Sequence, residues 1–138
     1  SQIYENEKLL TLLFLAGDFK EFHRVANESK VLNSLQQALE KGLKSEAGFS
    51  KAWVFKNKVV VIDFAIKNNK VAFDLDVDEK KKILKVWMFS RNQSDSLNHL
   101  HEKVIKVEEN KLLIFDGTLS AQNKAIDDIR EYLNKIRS

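Results

Sequence analysis

The sequence predicts an α+β domain, with N-terminal helices packed on a curved antiparallel sheet of four or more strands and a helix at the C-terminus. Three observations lead there. Apolar residues recur at helical spacing through the first 48 residues. From Lys51 the period changes to two, with short polar turns between the runs. After Thr118 helical spacing returns.

The elements follow in order. Leu9, Leu10, Leu12, Leu13 and Leu15 make a wide apolar face that Gly17 ends, with Asp18 placed to cap the next segment. Phe19, Phe22, Val25 and Ala26 then keep helical spacing. Val31, Leu32, Leu35, Ala38, Leu39 and Leu43 continue it until a break near Gly42 and an end before Gly48. The expectation is three short helices, or two with a kink. The segments 52–56, 59–66, 70–77 and 83–90 are rich in Val, Ile, Phe and Trp and read as a meander of strands. Residues 95–103 read as a short helix, and 104–107 with 112–115 as a further hairpin around Glu108-Glu109-Asn110. In the last helix Ala125, Ile126, Ile129, Tyr132, Leu133 and Ile136 form one stripe, capped by Thr118 or Ser120.

At 138 residues the chain fits one domain, 1–138, with a single core. It has no cysteine, which removes disulfides, thiol catalysis and Cys-based metal sites. No apolar run approaches the roughly 20 residues of a membrane span. The chain begins at Ser1, so we expect that a leader or tag has been removed or that the domain is excised, and the compartment stays open. Net charge is +3. Its basic excess lies in 51–92, mostly as turn lysines that solubilise a sheet and protect its edges. Only four arginines are present, and they are scattered, so nucleic acid is not the expected partner.

A turn at Asn68-Asn69 would pair Ile66 with Val71, Phe64 with Phe73, Ile62 with Leu75 and Val60 with Val77. All are apolar and share a face, so a one-residue slip would forfeit their burial. The same reasoning pairs Leu75 with Leu84 and Phe73 with Val86. A turn at Asn57-Lys58 would put Phe55 and Trp53 on that face, opposite Val60 and Ile62. Helices must cover this face, or a homodimer through it would.

The second face is mixed. Here the register sets Asp63 opposite Asp74, with Lys85 on the far side of Asp74 and Trp87 beside Ala72. Like charges directly opposite destabilise a sheet and raise one pKa of the pair. Two readings stay open. The face is partly solvated and the carboxylates point at water, or the sheet curves and the face lines a cavity that binds a ligand. In the second case Asp63, Asp74, Lys85 and Trp87 are the binding candidates, and Asp63 with Asp74 could do acid–base work or hold a cation.

Other patterns carry less. Asp63 followed ten residues later by Asp74-Leu75-Asp76 resembles the metal-binding acids of restriction-endonuclease-like nucleases. However, Asp76 stands where that pattern has lysine, and the next strand follows too soon for that fold's usual helix. His99 and His101 are two apart and would diverge on a helix, and His23 is isolated. With four glycines there is no phosphate loop and no nucleophile elbow. Asn27-Glu28-Ser29 and Asn92-Gln93-Ser94 match the glycosylation sequon. No metal or cofactor is expected.

Two helices joined at Leu15-Ala16-Gly17-Asp18-Phe19, a third helix, then the strands Val59 to Phe64, Val71 to Val77 and Ile83 to Phe89 resemble the nuclear-transport-factor-2-like (cystatin-like α+β) superfamily over residues 5–90. The resemblance implies a curved sheet around a pocket. It also implies a choice between isomerase or dehydratase activity and non-enzymatic binding or accessory roles. It transfers no catalytic residue, and 93–138 departs from the usual ending. We therefore expect a non-enzymatic domain that binds a partner protein or small ligand through the sheet. The alternatives are a small-molecule isomerase or hydrolase using Asp63 and Asp74, and a toxin-neutralising immunity or inhibitor protein.

Overall fold

A computed structural model describes the backbone of residues 7–12 and 19–138 and, apart from 19–29, their side chains. Residues 7–12 are helical, which leaves Leu13, Leu15, Gly17 and Asp18 of the expected first helix and turn outside the described residues. A long helix α1 (Phe19–Leu43) follows, then strands β1 (Phe49–Phe55), β2 (Val59–Ile66), β3 (Asn69–Asp78) and β4 (Ile83–Ser90). A 3-10 turn at Asn98–Lys103 leads to β5 (Lys106–Glu108), β6 (Lys111–Thr118) and the C-terminal helix α2 (Gln122–Arg137). The runs 19–26 and 31–43, which three short helices would separate and two would join, are one helix: no glycine or proline lies between them, so nothing stops it.

Among the described residues six strands form one open antiparallel sheet, in the order β1-β2-β3-β4-β6-β5. Its apolar face meets both helices. Leu32, Leu35, Leu39 and Leu43 of α1, spaced three and four apart, pack with Val60, Ile62, Phe64, Phe73, Leu75 and Met88 in one core. Ala125, Ile126, Ile129, Tyr132 and Leu133 of α2 complete it, as the stripe requires. A bulge opposite Val86 and Trp87 lets Leu112, Ile114 and Phe115 of β6 all join this core while Leu113 turns to the other side.

Helix α2 is fastened along its C-terminal half by long side chains rather than by a side-chain cap. Neither Thr118 nor Ser120 caps it; the two hydroxyls bond each other at 3.0 Å and the N-cap is Ala121. Arg130 donates to the Gly42 carbonyl at 2.6 Å, Arg137 to the Ala47 carbonyl at 2.7 Å, and the Tyr132 hydroxyl to the Lys103 carbonyl at 2.7 Å. The first of these satisfies a carbonyl left open at the end of α1.

The expected faces hold for β2, β3 and β4, but the partners do not. The β2–β3 turn is Lys67-Asn68, both at positive φ (49° and 68°), and it pairs Ile66 with Asn69. The true pairs are therefore Phe64 with Val71, Ile62 with Phe73 and Val60 with Leu75. A two-residue shift conserves every face, so burial cannot choose between these registers. Asn69 does choose. It is buried, accepts from the Ser90 hydroxyl at 2.6 Å and donates to the Ser96 hydroxyl at 2.8 Å, and a turn position would forfeit both bonds.

The β3–β4 loop also sits one residue later than expected, spanning 79–82, so Leu75 faces Val86 and Phe73 faces Met88. Across β1 the shift is odd and does change faces. The loop 56–58 pairs Phe55 with Val59 and Val54 with Val60, which turns Ala52 and Val54 inward. Trp53 and Phe55 move to the mixed face. Two causes act together: Val54 fills the core, and the Trp53 indole N–H finds an acceptor that a hydrocarbon face would deny it.

Candidate binding face

The sheet face away from the core is built in rows across the strands. One row runs Trp53, Val61, Asp74, Trp87, Leu113 and Lys106 from β1 to β5. The row beside it holds Lys51, Asp63, Ala72 and Phe89, with Lys111 beyond. The third holds Asp76, Lys85 and Asp116. Val61, Ala72 and Leu113 are buried yet belong to no part of the core shared with the helices. Their cross-strand neighbours Trp53, Phe89 and Trp87 are the large side chains beside them.

This register corrects the expected constellation. Asp63 does not face Asp74. It lies between Lys51 and Ala72, and both its oxygens accept hydrogen bonds, from Arg91 Nε at 2.8 Å and from Trp53 Nε1 at 2.9 Å. Asp74 faces Val61 on one side and Trp87 on the other. Lys85 sits between Asp76 and Asp116, and Phe89 rather than Trp87 stands beside Ala72. The cation near Asp74 is Lys111, with Nζ at 3.6 Å.

Burial raises the pKa of Asp74 above the ordinary 3.8, against the opposing pull of Lys111 and then Arg91. Asp63 contributes least to that rise, so the expected carboxylate–carboxylate repulsion is not its main cause. The folded state thus holds the Asp74 proton more tightly than the unfolded chain does. That contribution to stability is fully present at low pH and is lost as pH rises from 3.8 through the raised folded value. Asp74→Asn is accordingly expected to raise the urea midpoint at neutral pH, with the gain shrinking on acidification. A lowered midpoint at neutral pH would mean that the Lys111 pair outweighs the burial of the charge.

Phe89 lies on the face where strand alternation puts it, whereas Trp53, Arg91 and Lys111 escaped the sequence reading. Trp53 was legible in principle, because a tryptophan in a strand needs a hydrogen-bond acceptor within reach. Arg91 and Lys111 were not, since they lie just outside the strand core and reach Asp63 and Asp74 only through folding. Arg91 also lies over Phe89, its guanidinium carbon 5.3 Å from the ring centroid, and Lys51 lies over Trp53 at 5.1 Å.

The remaining patterns lead elsewhere. Among the described residues no cluster of three His, Asp or Glu side chains is placed to hold a metal ion, so Asp63, Asp74 and Asp76 do not assemble as the nuclease-like spacing would require. His99 and His101 are exposed on the 3-10 turn, whose buried residue is Leu100. The Asn92 amide is engaged on both sides, accepting from the Lys70 N–H at 2.8 Å and donating to the Asn68 carbonyl at 2.9 Å. A groove of about 690 Å³ opens away from this face, lined by Lys30, Ser34, Lys82, Leu119 and Gln122 among others, and none of Asp63, Asp74, Lys85 or Trp87 borders it. No helix among the described residues is long and apolar enough to cross a membrane. Comparison with known proteins found no matching family model, no similar curated protein and no similar solved structure.

Proposed function

We propose that this chain is a non-enzymatic binding domain that docks a partner protein on the sheet face opposite its helices. The observation that carries the reading is the placement of both tryptophans. The chain has two, Trp53 and Trp87, and both lie half-buried in one row of this face. They are three strand spacings apart, or about 14 Å. Val61 and Asp74 stand between them, and Leu113 and Phe89 lie alongside. Large aromatic side chains with an arginine among them are the composition of interface hot spots, because they bury much area at little entropic cost.

An acid–base role for Asp63 and Asp74 fits this geometry less well. Both oxygens of Asp63 already accept hydrogen bonds, and its neighbour across β2 and β3 is Ala72. The helix-then-meander order that resembles the nuclear-transport-factor-2-like superfamily is compatible with an accessory or binding member, and we carry that kinship as part of the proposal.

Photo-crosslinking tests the reading. A benzophenone side chain at Ala65, exposed on this face, should give a discrete adduct in an extract of the source cells. The same group at Asp127, exposed on α2, should not. The adduct should vanish with Trp53→Ala and with Trp87→Ala. An adduct that survives both substitutions, or that forms equally from Asp127, would sink the proposal.

A further inference from the structure

The charges of this face are unevenly spread, and the imbalance identifies the chemistry of the partner. At the end nearest the β2–β3 turn, Lys51, Lys70, Arg91 and Lys111 outnumber the two carboxylates Asp63 and Asp74. Both carboxylates are already engaged by this end's own cations, Asp63 with Arg91 and Asp74 with Lys111, and Glu108 further out is paired with Lys106 at 2.6 Å. Positive charge is therefore left over. At the opposite end Lys85 stands between Asp76 and Asp116 within the strands, and the other lysines there, Lys56, Lys58 and Lys80 to Lys82, lie in the loops that join them.

Arg91 is the residue held for use. Its Nε is fixed on Asp63 at 2.8 Å and its guanidinium lies over the Phe89 ring, while the side chain remains 39% exposed. Its two terminal nitrogens make no hydrogen bond among the described residues. A guanidinium anchored through Nε presents those nitrogens as a rigid fork, which matches the two oxygens of a carboxylate and loses little entropy on binding. Flat aromatic surface adjoins the fork, with Phe89 beneath it and Trp53 across Asp63.

We propose that the partner docked here is an acidic protein segment, one whose Asp or Glu side chain is forked by Arg91 while a neighbouring apolar residue rests on Phe89 and Trp53. The inference rests on the docking-face reading and adds to it the recognised chemistry. A nucleic-acid backbone and a second copy of this chain are the other occupants that the test separates.

The test is a nitrogen-15 NMR titration of the whole chain with three probes: acetyl-Phe-Glu-Phe-Glu-amide, its counterpart acetyl-Phe-Gln-Phe-Gln-amide, and a short oligothymidylate. The Glu peptide is expected to shift the Trp53 indole N–H and the Arg91 Nε–H, and to bind at least about tenfold more tightly than the Gln peptide. Arg91→Ala should remove about that factor, and Arg91→Lys, which keeps charge but not the fork, should recover only part of it. Lys85→Ala should change nothing. Circular dichroism melting of each variant separates lost binding from lost folding.

Equal binding of the two peptides, no shift with either, or an unchanged affinity in Arg91→Ala overturns the inference. Stronger binding of oligothymidylate than of the Glu peptide also overturns it, in favour of a nucleic-acid surface. Concentration-dependent shifts on the same face without any probe would do so in favour of self-association. If the crosslinks from Ala65 persist while the Glu peptide fails, the docking face stands and only its acidic preference falls.

Discussion

Truncating Phe73 to alanine is expected to lower the unfolding free energy by about 3–5 kcal/mol, the range for deleting a buried aromatic ring. Phe73 is 0% exposed in the central strand β3, between Ile62 on β2 and Met88 on β4. Its ring meets Phe64 edge to face, with centroids 5.7 Å apart at 89°, and Phe64 meets Phe49 at 5.8 Å and 80°. Removing the middle strand's ring therefore opens a cavity walled by two neighbouring strands, and it also ends one aromatic contact in a chain of two. Neighbours on paired strands cannot close the gap without breaking ladder hydrogen bonds, which is why the cost should sit within the full range. Urea denaturation measures it. A cost below about 1.5 kcal/mol would mean that the sheet relaxes far more than its pairing suggests.

Trp87→Ala provides the internal contrast. It removes a larger ring from the same sheet, but from the mixed face, where Trp87 keeps part of its surface exposed while Phe73 is fully buried. We expect it to cost less stability than Phe73→Ala despite its greater size.

Gly48→Ala is expected to cost about 3 kcal/mol, for a reason unrelated to hydrophobic burial. Gly48 has φ of +87°, a conformation that side chains rarely adopt. A Cβ built there would lie 2.3 Å from the Ala65 carbonyl oxygen, and the Ala65 N–H donates to the Gly48 carbonyl at 2.8 Å. The backbone entering β1 is thus pressed against β2, beside the register shift between Phe49 and Lys51. Because the obstacle is backbone, no rotamer change can relieve it, and either β1 or β2 must move.

Gly42→Ala is the matched control. Its Cβ would meet the Ile126 side chain at 3.2 Å, which can yield, and alanine is the better helix former. The change at Gly42 should be small while that at Gly48 is large. Equal urea midpoints for the two variants would contradict the assigned role of Gly48.

The two halves of the prediction differ in how far sequence could reach. Strand positions 59–66 and 83–90 match the structure because alternation is written in consecutive residues, and the stripe of α2 is legible for the same reason. The core face of β2, β3 and β4 follows directly, since any even shift preserves it. The odd shift at β1 was less accessible. It depends on a three-residue loop whose Lys56 and Asn57 take positive φ, and on an acceptor for Trp53 that β2 supplies.

The candidate site shows the same division more sharply. Asp63, Asp74, Lys85 and Trp87 all lie on the expected face, yet the row drawn through the first three does not exist. A turn placed one residue earlier, and a loop placed one residue later, separate Asp63 from Asp74 and give Lys85 to Asp76. Lys111, from a strand that returns only after the 3-10 turn, occupies the role expected of Lys85.

What the sequence determined by itself is the strand meander and the C-terminal helix, the division of the sheet into an apolar and a mixed face, and the need for helices on the first. These are local properties of spacing and composition. Tertiary structure alone decided which side chains meet on the mixed face, because turn length and the buried bonds of Asn69 select among registers that burial leaves equivalent. It also decided that Arg91 and Lys111 arrive from outside the meander to engage the two carboxylates. Those contacts join residues 28 and 37 positions apart, a separation that no local pattern encodes.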